Sequence, residues 1–208
     1  MTFAERWTAA LRDRGLRTHL LLTVPALIAV MRWFASFLLW VEARPGVSFS
    51  DPLLAALPAR DLTWGIFALL YVGLATGLAV LAFHPRQLVI GLQAYALMVL
   101  ARMALMSALP LDPPAGMIAL RDPLVEVLGN GATMTRDLFF SGHTATMTML
   151  ALAVPGRALK VALGLGAAGV AAGVLWQHVH YTVDVLVAPF VAFACYRAVR
   201  SLHCAAAE

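Results

Sequence analysis

The chain has 208 residues, 62% of them hydrophobic and only 12% charged, with a mean hydropathy of +0.83. A soluble domain is about half apolar and about a quarter charged, so this balance excludes a disordered chain, a disulfide scaffold and an ordinary cytosolic enzyme. It leaves an integral membrane protein, whose net charge of +4 reads as a topology signal, with no nucleic-acid partner implied.

Residues 1–19 form a basic N-terminal segment carrying Arg6, Arg12, Arg14 and Arg17. The apolar run Leu20–Val41 is too long for a signal-peptide core and lacks a small-residue cleavage site, so it reads as a retained first span. Span two is predicted from Leu62 to Phe83 and span three from Leu88 to Leu109, with the polar break His84-Pro85-Arg86-Gln87 between them. A loop rich in Pro, Gly and Asp covers 110–140. Span four is predicted from Ser141 to just before Pro155-Gly156, span five over 159–177 and span six over 181–199. The expected fold is therefore all-α: a six-helix membrane bundle over 20–200 with a short tail at 201–208. Cys195 and Cys204 read as two unpaired thiols.

Orientation follows from the basic residues. Arg6, Arg12, Arg14, Arg17, Arg86, Arg157, Lys160, Arg197 and Arg200 fall on one side; Arg44, Arg60, Arg121 and Arg136 fall on the other. The positive-inside rule places the first set and both termini in the cytoplasm. Trp40, Trp64 and Trp176 mark the outer span ends as an aromatic belt would. Two GxxxG pairs, Gly73/Gly77 and Gly169/Gly173, are expected at close helix contacts.

Two outer segments carry the chemistry. Asp137-Leu138-Phe139-Phe140-Ser141-Gly142-His143-Thr144 opens span four, and His178-Val179-His180-Tyr181-Thr182-Val183-Asp184 joins spans five and six. Ionisable groups at membrane depth point to function. If span six begins near His180, then His180 and Asp184 share a helix face. The carboxylate then orients the ring and leaves its other nitrogen free to attack. His178 faces elsewhere on such a helix. Ser141 and Gly142 at a helix N-terminus offer free N–H groups to a phosphate, and Gly142 permits close approach. His143 beside them serves as acid and base. The pattern suggests phosphoryl transfer through a phosphohistidine.

On these two segments the chain resembles the type 2 phosphatidic acid phosphatase (PAP2) superfamily, and within it the sphingomyelin synthase-like branch. Leu109-Pro110 and Leu57-Pro58-Ala59-Arg60-Asp61 resemble that branch's earlier motifs less closely. The resemblance implies six membrane helices and a His-His-Asp triad on the outer side: His180 as nucleophile, Asp184 as its orienting partner and His143 as acid and base. It further implies transfer of a phospho-headgroup from a phospholipid donor to a lipid alcohol acceptor (a ceramide or diacylglycerol), with no cofactor and no metal. A bacterial cytoplasmic membrane, with the site facing outward, is the expected location. Arg102 stands where the branch carries an Arg, at a shorter spacing from Leu-Pro and without the following Thr residues.

The candidate substrate- and phosphate-binding set is Arg102, Arg136, Asp137, Ser141, Gly142 and Tyr181. Arg136 suits bidentate phosphate binding, and Asp137 suits either a cap or a contact to His143. Arg32 and Arg102, inside spans one and three, are expected to face the bundle interior or a watery cavity. Asp122 and Glu126 in the long loop are candidates for attracting a cationic headgroup. Three other readings stand beside transfer. With water as acceptor, the same machinery is a lipid phosphatase. A zinc site built from the histidines lacks a fixed ligand motif. A transporter calls for broken helices or inverted halves, and the sequence shows neither.

Overall fold

The computed structural model describes residues 2–122 and 134–205. The chain forms eight helices there: α1 (Phe3–Arg12), α2 (Arg14–Ala43), α3 (Pro52–Ala56), α4 (Thr63–Ala82), α5 (Pro85–Ala108), α6 (Gly142–Ala153), α7 (Arg157–Trp176) and α8 (Thr182–Ala205). Among the described residues the one β-type contact is a parallel bridge between Val47 and Leu111. Gly46 permits it, because a Cβ there would lie 2.4 Å from the Leu111 carbonyl carbon.

Local chemistry sets the helix ends. Thr2 and Glu5 form a reciprocal capping box on α1. Asp13 caps α2 through the N–H groups of Gly15 and Leu16. Asp51 precedes Pro52, the residue pair that suits the N-cap and first position of α3. Pro85 opens α5 directly after the α4 C-cap at Phe83.

Five helices are long and apolar enough to cross a membrane: α2, α4, α5, α7 and α8. The fourth predicted span differs. Only 12 of its residues are helical, about 18 Å of rise against a hydrocarbon core of about 30 Å. The reason lies just before it, where residues 134–141 descend into the bundle as non-helical chain. Their polar backbone is satisfied from within: Arg102 Nε donates to the Phe140 carbonyl at 2.8 Å, and the Ser141 N–H donates to the Asp184 carbonyl at 3.1 Å. Irregular backbone is tolerated at that depth only when buried in protein.

α6 packs against α4, α5, α7 and α8 and forms the centre of the bundle. Both glycine pairs make the close contacts expected of them. A Cβ on Gly73 would meet Met147 Cε of α6 at 2.5 Å, and one on Gly77 would meet Leu150 Cδ2 at 3.0 Å. On α7, Cβ atoms at Gly169 and Gly173 would meet Leu69 at 3.0 Å and Ile66 at 2.6 Å on α4.

The loops gather at two ends, as the charge count grouped them. At the basic end, Trp7 Nε1 donates to the Ala82 carbonyl at 2.8 Å and Arg6 to that of Phe83 at 3.2 Å, so α1 caps the C-terminus of α4. There too, Gln93 of α5 donates to Thr23 of α2 at 2.7 Å, and its amide oxygen meets His203 Nε2 of α8 at 2.7 Å. The opposite end holds residues 44–62, 109–122, 134–141 and 176–182, with the belt residues Trp40, Trp64 and Trp176 exposed around it. Cys195 is buried, Cys204 is exposed, and both are unpaired.

Arg32 corrects an expectation. It is exposed, because the face of α2 turned to the bundle carries Thr23, Leu27, Phe34 and Val41. A position two residues from Phe34 lies about 200° around the helix, on the outer side. There the long side chain can snorkel toward an interface.

Candidate active site

The start of α8 places the first pair. The helix begins at Thr182, so His180 precedes it and does not lie on it as the spacing predicted. The carboxylate still reaches the ring. Asp184 is the third helical residue and turns back over the N-terminus, where its Oδ2 accepts the Tyr181 N–H at 3.0 Å. This is the acidic half of a capping box. The same oxygen stands 3.4 Å from His180 Nδ1. A carboxylate only accepts, so the contact requires the proton on Nδ1 and leaves the Nε2 lone pair free. Both side chains are essentially inaccessible, at 1% and 0% exposure. Asp184 Oδ1 has no hydrogen-bond partner among the described residues.

His178 turns away from this pair. Its backbone is left-handed at φ 56°. Its ring nitrogens lie 3.1 Å from the Ala115 carbonyl and 3.2 Å from that of Leu57, which staples two loops together.

The second segment meets the first from α6. Ser141 is buried beside Asp184, and its hydroxyl pairs with Thr144 at 3.1 Å. Among the described residues no side chain caps α6, so the N–H groups of its first turn remain available to a ligand. His143 follows in that turn. It lies edge-on to Phe67 at 5.8 Å and within electrostatic reach of His180, Arg102, Asp137 and Asp122. Its Nδ1 has no hydrogen-bond partner among the described residues.

Arg102 ties the segment to α5. Besides the Phe140 carbonyl, its Nη2 lies 2.9 Å from Asp137 Oδ1 and 3.3 Å from the Asp137 carbonyl. Gly142 abuts the guanidinium so closely that a Cβ would stand 2.8 Å from Arg102 Cζ. Asp137 thus holds Arg102, and Arg102 holds the chain at Phe140.

Arg136 and Tyr181 are engaged elsewhere. Arg136 Nε meets Asp112 Oδ1 at 2.7 Å, its Nη1 donates to the Glu42 carbonyl at 2.7 Å, and its N–H donates to the Glu42 carboxylate at 2.9 Å. Tyr181 donates its hydroxyl to the Asp112 carbonyl at 3.0 Å and stacks on Phe49 at 4.0 Å. Asp122 accepts from the Tyr71 hydroxyl. Glu126 lies outside the described residues.

Sequence reasoning missed Asp51. Its carboxylate caps α3 and also accepts the Thr182 N–H at 2.7 Å and the Thr182 hydroxyl at 2.9 Å. It thereby fixes the first residue of α8. The Asp51-Pro52 pair signals the α3 cap; nothing local signals the reach to Thr182.

The sequence reading also missed an apolar cleft of about 450 Å³ that opens from this cluster. Arg102, Asp137, Gly142 and His143 line its polar end. Leu70, Leu74, Leu78 and Leu81 line one wall from a single face of α4, with α5 and α6 opposite. Among the described residues no three His, Cys, Asp or Glu side chains gather as metal ligands.

A buried histidine–carboxylate pair, a second histidine, a guanidinium and an open helix N-terminus have the makings of a phosphate-ester site within a helical membrane protein. Comparison with known proteins agrees with that class. Residues 136–202 match the PAP2 superfamily C-terminal domain, which supports membership of that superfamily. The matched stretch contains His143, His180 and Asp184. Members of the superfamily are generally phosphatases or phosphotransferases, which supports an enzyme acting on lipid phosphate esters. No curated protein matched the chain.

Proposed function

We propose that the protein is a membrane lipid phosphotransferase of the sphingomyelin synthase-like kind, working through a phosphohistidine at the non-basic end. The observation that carries this reading is His180, oriented by Asp184 at 3.4 Å, next to a cleft whose polar end holds His143, Arg102 and Gly142 and whose remainder is apolar. In the first step His180 Nε2 attacks phosphorus. The bond from phosphorus to the donor's lipid oxygen breaks, and the proton on His143 passes to that oxygen. In the second step an acceptor hydroxyl attacks phosphorus, its proton returns to His143 and the phosphorus–nitrogen bond breaks. Arg102 and the first-turn N–H groups of α6 stabilise the phosphate charge throughout. Positive-inside logic places the basic end in the cytoplasm and the site toward the outside of a bacterial cytoplasmic membrane.

The test is purified protein in liposomes containing labelled ceramide and labelled diacylglycerol. Phosphatidylcholine, phosphatidylethanolamine, phosphatidylglycerol and phosphatidate are offered as donors, with His180→Ala in parallel. The expected result is a new phospho-headgroup lipid that the variant does not make. Release of water-soluble phosphate or phospho-headgroup with no new phospho-headgroup lipid makes the protein a hydrolase. Absence of turnover in both proteins favours a lipid-binding or transport role.

A further inference from the structure

The cleft is asymmetric about the two histidines: His143 stands in its wall, and His180 and Asp184 do not. Its polar end combines the Arg102 guanidinium with the N-terminus of α6, which complements a phosphate ester. From there, among the described residues, Thr146 and Tyr95 alone interrupt an apolar shaft. The shaft follows α6 from His143 to Ala153, a descent of about 15 Å. His143 already lies below the outer ends of the neighbouring helices, so the shaft ends at the basic ends of α4, α5 and α6. The whole cleft encloses about 450 Å³, room on the scale of one lipid chain.

Three helices close the foot, through Leu81 of α4, Leu88 of α5 and Ala153 of α6. Leu81 and Ala153 are 2% and 3% exposed, so they form a fixed stop. Beside them Gly91 lets α5 pack closely on α6, since a Cβ there would come within 3.3 Å of Ala153 Cβ. The side wall is open, because Leu78 lines the cleft and is 44% exposed.

We infer that the cleft takes one hydrocarbon chain of the lipid alcohol whose oxygen His143 serves, and that Leu81, Leu88 and Ala153 set the chain length accepted. This deepens the proposed function and rests on it.

The test uses the full chain in nanodiscs of fixed host lipid with short-, medium- and long-chain diacylglycerols. Ala153→Phe and Leu88→Trp both fill the foot; Leu88 is half-buried, so its variant carries the test if Ala153→Phe does not fold. A diacylglycerol with a photoreactive group at its chain end is cross-linked in parallel to wild type and to His180→Ala. The expected outcome is a tenfold or greater shift in the ratio of long-chain to short-chain turnover in both variants. The chain-end label is expected on the peptides carrying Leu81, Leu88 or Ala153. An unchanged ratio in a folded variant, or label confined to outward residues such as Leu165 and Phe190, overturns the inference. If wild type turns over no lipid, the phosphotransfer reading fails, and the cross-link alone decides where the chain lies.

Discussion

The role proposed for His180 depends on three neighbours: the Asp184 carboxylate, the Tyr181 N–H that holds it, and Asp51, which fixes Thr182. Each fails differently. Asp184→Asn keeps the shape but permits the wrong tautomer, and kcat is expected to fall on the order of 10³–10⁴-fold, by analogy with the aspartate of serine protease triads. Phosphoenzyme trapping is the measurement; a variant within tenfold of wild type removes Asp184 from its role. Asp51 sits outside the spans. Burial raises its carboxyl, but hydrogen bonds from Thr182, Leu54 and Leu53 outweigh burial and hold it below the usual carboxylate range. A group depressed in the folded state stabilises above its unfolded value and loses that contribution as pH falls through the folded one. Asp51→Asn is therefore expected to cost about 1 kcal/mol near neutrality. The difference from wild type should begin to shrink below about pH 4 and vanish only once pH has fallen through the lower folded-state value. Thermal melts across that range decide it.

The three residues proposed as a triad stood out in the sequence because each is a rare polar group inside apolar runs. Asp51, Glu42 and Asp112 were not, since loop acids are common and their partners lie far along the chain. The same limit explains Arg136, whose proximity in sequence to Ser141 says nothing of its pairing with Asp112 and Glu42.

At the scale of elements, α6 was predicted as a span from Ser141 to just before Pro155 and is a 12-residue helix within those bounds, too short to cross alone. Residues 137–140 were read as the end of a loop; only the hydrogen bonds from Arg102 and to Asp184 reveal that this loop is folded into the bundle. The five longer helices were placed to within a few residues at most boundaries, because length and apolarity alone define them. The ends of α2 and α8 extend further, into polar sequence that capping and tertiary contacts keep helical. The cleft was invisible, since Leu70, Leu74, Leu78 and Leu81 look the same as leucines that face lipid. Close packing of α4 on α6 gives a sharp expectation. Gly73→Leu must displace the Met147 thioether, and overpacking of this kind costs about 1–3 kcal/mol. Gly164→Leu on α7, where a Cβ meets nothing within 4 Å, should be close to neutral. Equal losses in the two variants would mean that α4 and α6 are not in tight contact.

The whole molecule has one basic end and one end built of loops and site residues. Cys204 is exposed at the basic end and Cys195 is buried, so the native chain carries its own reporter of sidedness. A membrane-impermeant maleimide is expected to spare intact spheroplasts and to label Cys204 once they are opened. Labelling of intact spheroplasts would invert the orientation.

α6 is eight residues shorter than α4, a deficit of about 12 Å. On the proposed reading, a phosphate that reaches His143 has therefore left the plane of its neighbours' headgroups and sunk toward the acyl region. The energetic cost of that descent depends on the host membrane, which thins or thickens around embedded helices at fractions of a kcal/mol per ångström. Turnover becomes a gauge of bilayer thickness: thin host membranes bring headgroups nearer the reaction centre and should run faster, while thick ones should hold the substrate back before any bond is broken.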